Sequence, residues 1–146
     1  IWIDADACPK PVKQITFKAA LRLRIPLCLV ANHDMFIPRS PFITKVLVGA
    51  GFDVADHYIA QNLAPDDLVI TADIPLASLV VDAEATALNP RGYLYTEENI
   101  KERLSVRNFM EDLRESGTQT GGPRPFSEID KRAFAGALDR YFANRR

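Results

Sequence analysis

Short, almost wholly apolar runs separated by amphipathic segments constrain the fold of this chain more than any other feature. Leu27–Ala31 and Leu68–Thr71 are the clearest of these runs, and turn residues bound both of them. This pattern is typical of strands that are buried on both faces of a parallel sheet. Because parallel strands are joined by crossovers that are usually helical, the alternation predicts an α/β fold with a mostly parallel sheet.

The remaining elements follow the same alternation and predict a Rossmann-like three-layer sandwich. Further strands are predicted at Ile1–Ile3, Lys45–Val48 and Ala85–Leu88, with a small additional one at Tyr93–Tyr95. Helices are predicted at Pro9–Arg24, from Asp53 onward, from the Ala72–Pro75 stretch to about Asp82, after Thr96 and after Ser127.

The length of 146 residues suits one domain. Within it, residues 1–95 form the predicted α/β body and residues 96–146 a helical C-terminal part. The division rests on charge type, because Glu, Lys and Arg at helical spacing replace the aspartates of the body.

Acidic residues follow the predicted strands at the end where ligands bind in such folds. Asp4 and Asp6 come directly after the first strand, and Asp73 follows Leu68–Thr71. In both places an apolar strand runs into aspartate and then into a helix with an early proline, so we expect Asp4 and Asp73 to hold equivalent positions. Since the carboxyl ends of parallel strands meet at one edge of a sheet, these carboxylates are predicted to converge.

This acidic edge predicts a site for Mg²⁺ or Mn²⁺. Oxygen ligands dominate it, and the two cysteines and two histidines of the chain have no zinc-site spacing. Two such ions about 4 Å apart could hold the attacking and leaving oxygens of a phosphodiester, with a water activated by the metal as nucleophile. The predicted metal ligands are Asp4, Asp6, Asp56 and Asp73, and the predicted catalytic residues are Asp4, Asp6 and Asp73.

Basic and amide side chains near this edge are candidates for phosphate contacts. Lys10 and Lys13 fall in the first turns of the first helix, where a cation opposes the helix dipole unless an anion binds nearby. For each basic residue on its own, a solvated surface position is the simpler alternative. The full predicted set is Lys10, Lys13, Asn32, Arg39, Asn89, Arg91 and Arg124.

The aspartates have structural alternatives as well. Asp6 can serve as a turn or cap residue, and Asp53 and Asp56 can cap the helix that they precede or open. The alternative is weaker for Asp4, which is predicted to end a strand and comes before the cap position.

Composition limits the classes of function. The 18 Lys and Arg residues balance 19 Asp and Glu, so the net charge of −1 creates no global basic field, although a local patch is compatible with it. The chain has only two cysteines, Cys8 and Cys28, and such sparse usage favours a location in a reducing cytoplasm. No apolar run is long enough to cross a bilayer, so we expect no membrane partner, and nothing supports a signal peptide.

Several motifs resemble one known family, the YaiI/YqxD family of uncharacterised bacterial proteins, which has no established function. The resemblance covers nearly the whole chain. That family is similar in layout to the PIN and NYN nuclease domains, whose acidic site binds Mg²⁺ or Mn²⁺. The motifs that carry the resemblance are Ile1–Pro9, Val30–Asn32, Val48–Asp56, Asp67–Ala77, Asn89–Gly92 and Thr120–Pro123.

The resemblance implies a PIN-like domain and a metal-dependent nuclease. Asp4 matches the acid after the first strand of those nucleases, and Asp73 matches the acid after a later strand. Asp53 or Asp56 matches the acids on the intervening helix, and Asp6 is an acid beyond that set. The implied reaction is phosphodiester hydrolysis, and the implied partner is nucleic acid, with RNA expected before DNA.

Two other classes of function stay open. A haloacid-dehalogenase-like phosphotransferase would use Asp4 as nucleophile, Asp6 as general acid and Thr71 to bind the phosphoryl group, although the lysine and terminal acidic pair of that class are not evident. The second class is a non-catalytic protein that binds nucleotide or RNA. Cys8 near a helix start is a further candidate nucleophile, with a small buried thiol as its alternative.

Overall fold

A five-stranded, fully parallel sheet forms the centre of the computed structural model. The structure describes residues 1–51, 54–104 and 125–144. The strands lie in the order β3-β2-β1-β4-β5, and every neighbouring pair is parallel. Their bounds are β1 Trp2–Asp4, β2 Leu27–Ala31, β3 Ile43–Leu47, β4 Leu68–Ile70 and β5 Thr86–Leu88.

Helices cover both faces of this sheet. A short 3₁₀ turn, Ala5–Ala7, follows β1 directly. Helices α1 and α5 share one face, and α2, α3 and α4 lie on the other. The helices are α1 Lys10–Leu23, α2 Val54–Asn62, α3 Ile74–Asp82, α4 over residues 97–104 of the described chain, and α5 Glu128–Asn144.

Alternation along each strand builds two separate cores. In β2, Leu27 and Leu29 pack with α1 and α5, whereas Val30 packs with α2 and α3. Val69 and Ile70 of β4 divide in the same way. Because both faces of β2 and β4 are covered, these strands have to be apolar throughout, which is why their sequences show continuous apolar runs.

Side-chain caps mark the starts of three helices. Asp73 caps α3 by accepting a hydrogen bond from the Leu76 backbone N–H, 2.8 Å from its Oδ1. Thr96 and Asn99 exchange side-chain to backbone bonds of 2.8 and 3.2 Å at the start of α4. Ser127 opens α5 as predicted, with Asp130 completing its capping box.

The predicted α/β fold class is confirmed, and the differences from the sequence analysis are local. Tyr93–Tyr95 contributes only an isolated antiparallel bridge, between Leu88 and Leu94, in place of a small strand. Asp53 and Arg124 lie outside the described residues. In the described ranges, no helix combines the length and the apolar character that crossing a membrane requires.

Strand order reverses at β1, and this reversal determines where a ligand site can form. The chain moves outward from β1 through β2 to β3, then returns to β4 on the other side of β1. In open parallel sheets, the crevice at such a reversal lies beyond the carboxyl ends of the two strands. The residues that follow β1 and β4 are therefore the first candidates for a functional site.

Gly92 holds the C-terminal helix close to the end of β5. Its φ is +96°, and a Cβ placed on it would lie 2.5 Å from the Ala133 carbonyl carbon of α5. Beside it, Arg91 Nη1 donates to Asp130 Oδ2 at 2.9 Å. The turn after β5 and α5 can therefore approach this closely only because residue 92 has no side chain.

We expect Gly92→Ala to lower the free energy of unfolding by more than about 1 kcal/mol, because the new methyl group combines an unfavourable φ with a clash against α5. Urea unfolding followed by circular dichroism measures the loss. Gly49→Ala is the matched control, since nothing lies within 4 Å of the Cβ that it would add. Equal stability of the two variants would contradict this account of how α5 is held.

Candidate functional site

Asp4 lies at the reversal point with its carboxylate buried. It is the last residue of β1 and is only 5% exposed. Thr71, which follows β4, donates its hydroxyl to Asp4 Oδ2 at 3.0 Å. Since Ile3 pairs with Ile70 in the sheet, Asp4 and Thr71 are the next residues in register and meet naturally.

The same Thr71 hydroxyl connects Asp4 to Asp73. Thr71 Oγ1 accepts a hydrogen bond from the Asp73 backbone N–H at 3.0 Å while it donates to Asp4. Asp73 is the N-cap of α3, because its side chain accepts the Leu76 N–H. The strand-end position equivalent to that of Asp4 is held by Thr71. The expectation that Asp4 and Asp73 are equivalent is corrected here, because β4 ends at Ile70 and leaves Asp73 in the turn beyond it.

Asp6 joins the end of β1 to the end of β2. Its Oδ2 accepts the Asn32 backbone N–H at 2.9 Å, and its Oδ1 lies 3.1 Å from His33 Nδ1. His33 Nδ1 is also 3.0 Å from Asn32 Oδ1, so two acceptors face this ring nitrogen. In neutral His33 this arrangement favours a proton on Nδ1, which leaves Nε2 as the acceptor.

Electrostatics couple the three aspartates. The pKa of Asp4 is raised to about 6. Burial is the largest cause, the hydrogen bond from Thr71 opposes it, and the negative charges of Asp73 and Asp6 add to it. Ionised Asp4 is thus disfavoured in the folded protein, and a nearby cation would relieve this unfavourable state.

Two carboxylate oxygens at the site are open to a ligand such as Mg²⁺ or Mn²⁺. Asp4 Oδ1 and Asp73 Oδ2 have no hydrogen-bond partner within the described ranges, whereas both oxygens of Asp6 are engaged. No three His, Cys, Asp or Glu side chains of those ranges are placed to hold one metal ion together. The residues present fit a magnesium ion that takes one or two carboxylates and completes its octahedron with water and phosphate.

Asp56 is the fourth predicted metal ligand. It is in the first turn of α2 and is half-buried. The side-chain charges that shift the pKa of Asp4 come from Asp73 and Asp6. A ligand role for Asp56 therefore stays a prediction from the sequence.

The predicted phosphate-binding residues separate into two groups. Lys10 and Asn32 are exposed and Lys13 is half-buried, close in the chain to the carboxyl ends of β1 and β2, whereas the exposed Arg39 comes just before the amino end of β3. Asn89 and Arg91 are instead engaged in holding the C-terminal region. Asn89 Nδ2 donates to the Tyr95 hydroxyl at 2.8 Å, and its Oδ1 accepts the Arg91 N–H at 2.7 Å. Phosphate contacts from either residue stay predictions.

Cys8 packs in the core beneath α1. Burial raises the pKa of its thiol to about 12, so the thiol stays protonated at neutral pH. A thiolate nucleophile requires the opposite shift. The geometry agrees with a small buried thiol, the alternative considered in the sequence analysis.

Comparison with known proteins identifies the family. The family model described as "Uncharacterized BCR, YaiI/YqxD family" matches residues 2–144. The chain belongs to the YaiI/YqxD family. This confirms the resemblance that the sequence motifs carry.

Similar proteins occur in Shewanella and Aeromonas. UPF0178 proteins of Shewanella baltica (strain OS223) and Aeromonas hydrophila are each 60% identical to this chain over 141 residues, covering 97% of it and 94% of the relative. The UPF0178 protein of Shewanella sp. (strain ANA-3) is 58% identical with the same coverage. No solved structure gave a significant match.

Two residues at the site of this YaiI/YqxD protein are outside the predicted metal-binding, catalytic and phosphate-binding sets, although the phosphotransferase alternative includes Thr71. Thr71 contacts both Asp4 and the Asp73 backbone, and His33 contacts Asp6. A threonine that ends an apolar run two residues before an aspartate was the available signal for Thr71. The contact of His33 with Asp6 depends on the adjacency of β1 and β2, which only the folded sheet provides.

The raised pKa of Asp4 predicts a pH dependence of stability in metal-free buffer. Folded Asp4 binds its proton more tightly than unfolded Asp4. The contribution of protonated Asp4 to the free energy of unfolding is therefore complete below about pH 4 and is lost as the pH rises through about 6. Because the pKa is raised from 3.8 to about 6, the free energy of unfolding should fall by on the order of 3 kcal/mol. Urea unfolding at pH 4, 5, 6 and 7 measures it.

Asp4→Asn isolates this effect. The amide oxygen can still accept the Thr71 hydrogen bond but cannot ionise, so above pH 6 this variant is expected to be more stable than the wild type. Asp82→Asn is the control, because Asp82 is exposed at the far end of α3. The explanation fails if Asp4→Asn and the wild type lose stability in parallel between pH 4 and pH 6.

Proposed function

We propose that this protein is a Mg²⁺- or Mn²⁺-dependent phosphodiesterase that hydrolyses nucleic acid, with RNA as the expected substrate. The observation that carries the proposal is the buried Asp4 carboxylate at the strand-order reversal, close to the charges of Asp73 and Asp6. A buried acid in such surroundings is unfavourable without a cation, and perturbed acids of this kind concentrate at functional sites.

Asp4 and Asp73 would hold the metal ion. Each has one carboxylate oxygen without a partner in the described ranges, and the Thr71 hydroxyl fixes their relative positions. When bound, the ion supplies positive charge to the phosphate and lowers the pKa of water. Thr71 would keep Asp4 oriented so that Oδ1 faces the site and Oδ2 remains in the protein.

Asp6, Asn32 and His33 would handle water and protons beside the metal ligands. The Asp6 carboxylate holds the His33 ring through Nδ1, at 3.1 Å, which leaves Nε2 able to accept a proton from the attacking water. Asp6 would thus act as a positioning residue through His33, and the Asn32 side chain would orient water or phosphate. The two free cysteines favour a reducing cytoplasm as the place of this reaction.

A phosphotransferase of the haloacid dehalogenase type is the second candidate. The contact between Asp4 and Thr71 favours it, since that class places a threonine beside its nucleophilic aspartate. Two observations weigh against it. Thr71 is fully buried, and its hydroxyl already donates to Asp4 and accepts from the Asp73 N–H, so it has little capacity left for a phosphoryl group.

The test begins with metal binding. Thermal unfolding is measured in chelator and then with increasing Mg²⁺ or Mn²⁺, and metal at one hundred times its dissociation constant should add roughly 2.7 kcal/mol to the free energy of unfolding. Asp4→Asn should lose this stabilisation, and Asp82→Asn should keep it. Metal-dependent cleavage of single-stranded RNA should disappear in Asp4→Asn and should persist in Asp82→Asn.

The outcomes separate the candidate functions. Cleavage that needs metal and Asp4 supports the phosphodiesterase. Trapping of fluoroberyllate at Asp4, together with hydrolysis of small phosphate monoesters, would support the phosphotransferase instead. Retention of nucleic acid without either reaction would leave a non-catalytic binding protein, and the phosphodiesterase proposal would be wrong.

A further inference from the structure

A groove of about 740 Å³ lies between α1 and the loop that follows β2, next to the candidate site. We call it the lysine groove. The α1 wall carries Lys10, Lys13, Phe17 and Lys18, and the loop wall carries Met35 and Phe36. Both walls start at the site, because the turn that contains Asp6 leads into α1 and Asn32 and His33 lead into the loop.

The charge of the lysine groove is entirely positive. Three lysines line it, and no acidic side chain lines it within the described ranges. Lys13 Nζ contacts Met35 Sδ at 3.5 Å, and none of the three lysines forms an ion pair with a described residue. The nearby Asp34 is paired with Lys45. In a chain with a net charge of −1, this local concentration of cations is complementary to a polyanion.

Phe36 adds a feature that a purely ionic site would not need. Its side chain is 89% exposed, at the mouth of a groove floored by the buried Phe17. An exposed aromatic ring beside lysines is the combination that binds single-stranded nucleic acid, since a base stacks on the ring and the cations contact the backbone. Duplex nucleic acid offers no free base face for such stacking.

We propose that the lysine groove binds single-stranded nucleic acid, with a base stacked on Phe36 and the phosphates on Lys10, Lys13 and Lys18. The bound strand then leads along the start of α1 toward Asp6 and Asp4. Single-stranded nucleic acid would then be the substrate of the proposed phosphodiesterase. The groove proposal rests on that function only for the direction in which the strand runs. Binding itself is independent of metal and of cleavage.

The experiment measures binding in chelator, so that no hydrolysis occurs. A fluorescein-labelled 12-residue single-stranded RNA is titrated with wild-type protein by fluorescence anisotropy, alongside DNA of the same sequence and a matched RNA duplex. Phe36→Ala should weaken single-strand binding about tenfold, the loss of one stacked base, and should leave duplex binding unchanged. Because Phe36 is exposed, its removal should not disturb folding, which circular dichroism checks.

The lysines are tested through salt dependence. Lys13→Gln and Lys18→Gln should each reduce the slope of the logarithm of affinity against the logarithm of salt concentration by about 0.7, the value for one phosphate contact on a single strand. An RNA with an abasic residue at successive positions should locate the stacked base. At that position the abasic RNA should bind wild type and Phe36→Ala equally.

Matched controls come from the surface of α5. Ile129→Ala removes another exposed apolar side chain, 76% exposed, and Lys131→Gln removes another exposed lysine. Neither should change affinity or salt slope. Equal affinities of Phe36→Ala and Ile129→Ala would overturn the proposal, as would equal effects on duplex and single strand.

Two further results separate this proposal from the proposed function. Groove-dependent binding without metal-dependent cleavage would uphold the lysine groove and remove the phosphodiesterase. If Phe36→Ala and Lys13→Gln leave metal-dependent cleavage unchanged, the phosphodiesterase stands and the lysine groove is not its binding site. Self-association that depends on Phe36, without binding of any oligonucleotide, would overturn the groove proposal and make this face a contact between copies of the chain.

Discussion

The hydrogen bond between Thr71 and Asp4 is the contact on which the arrangement of the site depends. It joins the ends of β1 and β4, the two strands between which the chain reverses its direction across the sheet. The same hydroxyl accepts the Asp73 N–H and so determines where α3 begins. One buried hydroxyl therefore relates two carboxylates and a helix start, and an apolar residue at position 71 would leave a buried acid and a backbone N–H unpaired.

The C-terminal helix is held by a second set of polar contacts, which follow β5 at the same carboxyl edge of the sheet. Arg91 pairs with Asp130, Asn89 shapes the turn that carries Arg91, and Gly92 allows α5 to approach. Phe134 and Leu138 then complete the core that α1 begins. The contacts that hold α5 and the carboxylates of the candidate site thus involve different residues of the same sheet edge.

Sequence reasoning located the candidate site but not its internal relations. Asp4, Asp6 and Asp73 were found because each follows an apolar strand, and the structure brings their charges together at Asp4. Arg91 also follows a strand, and the structure pairs it with an acid about forty positions later in the chain. A residue's proximity to a strand end is visible in the sequence, whereas its partner across the fold is not.

The sequence by itself determined the α/β class, the β2 strand, the helix caps at Thr96 and Ser127, and membership of the YaiI/YqxD family. These follow from local patterns, because hydrophobic periodicity and capping chemistry act over a few residues. Tertiary structure alone decided the strand order, the contact of Thr71 with Asp4, the contact of Asp6 with Asn32 and His33, and the lysine groove. Each of these joins residues far apart in the chain, and their meeting depends on how the strands pair and on which face each helix packs.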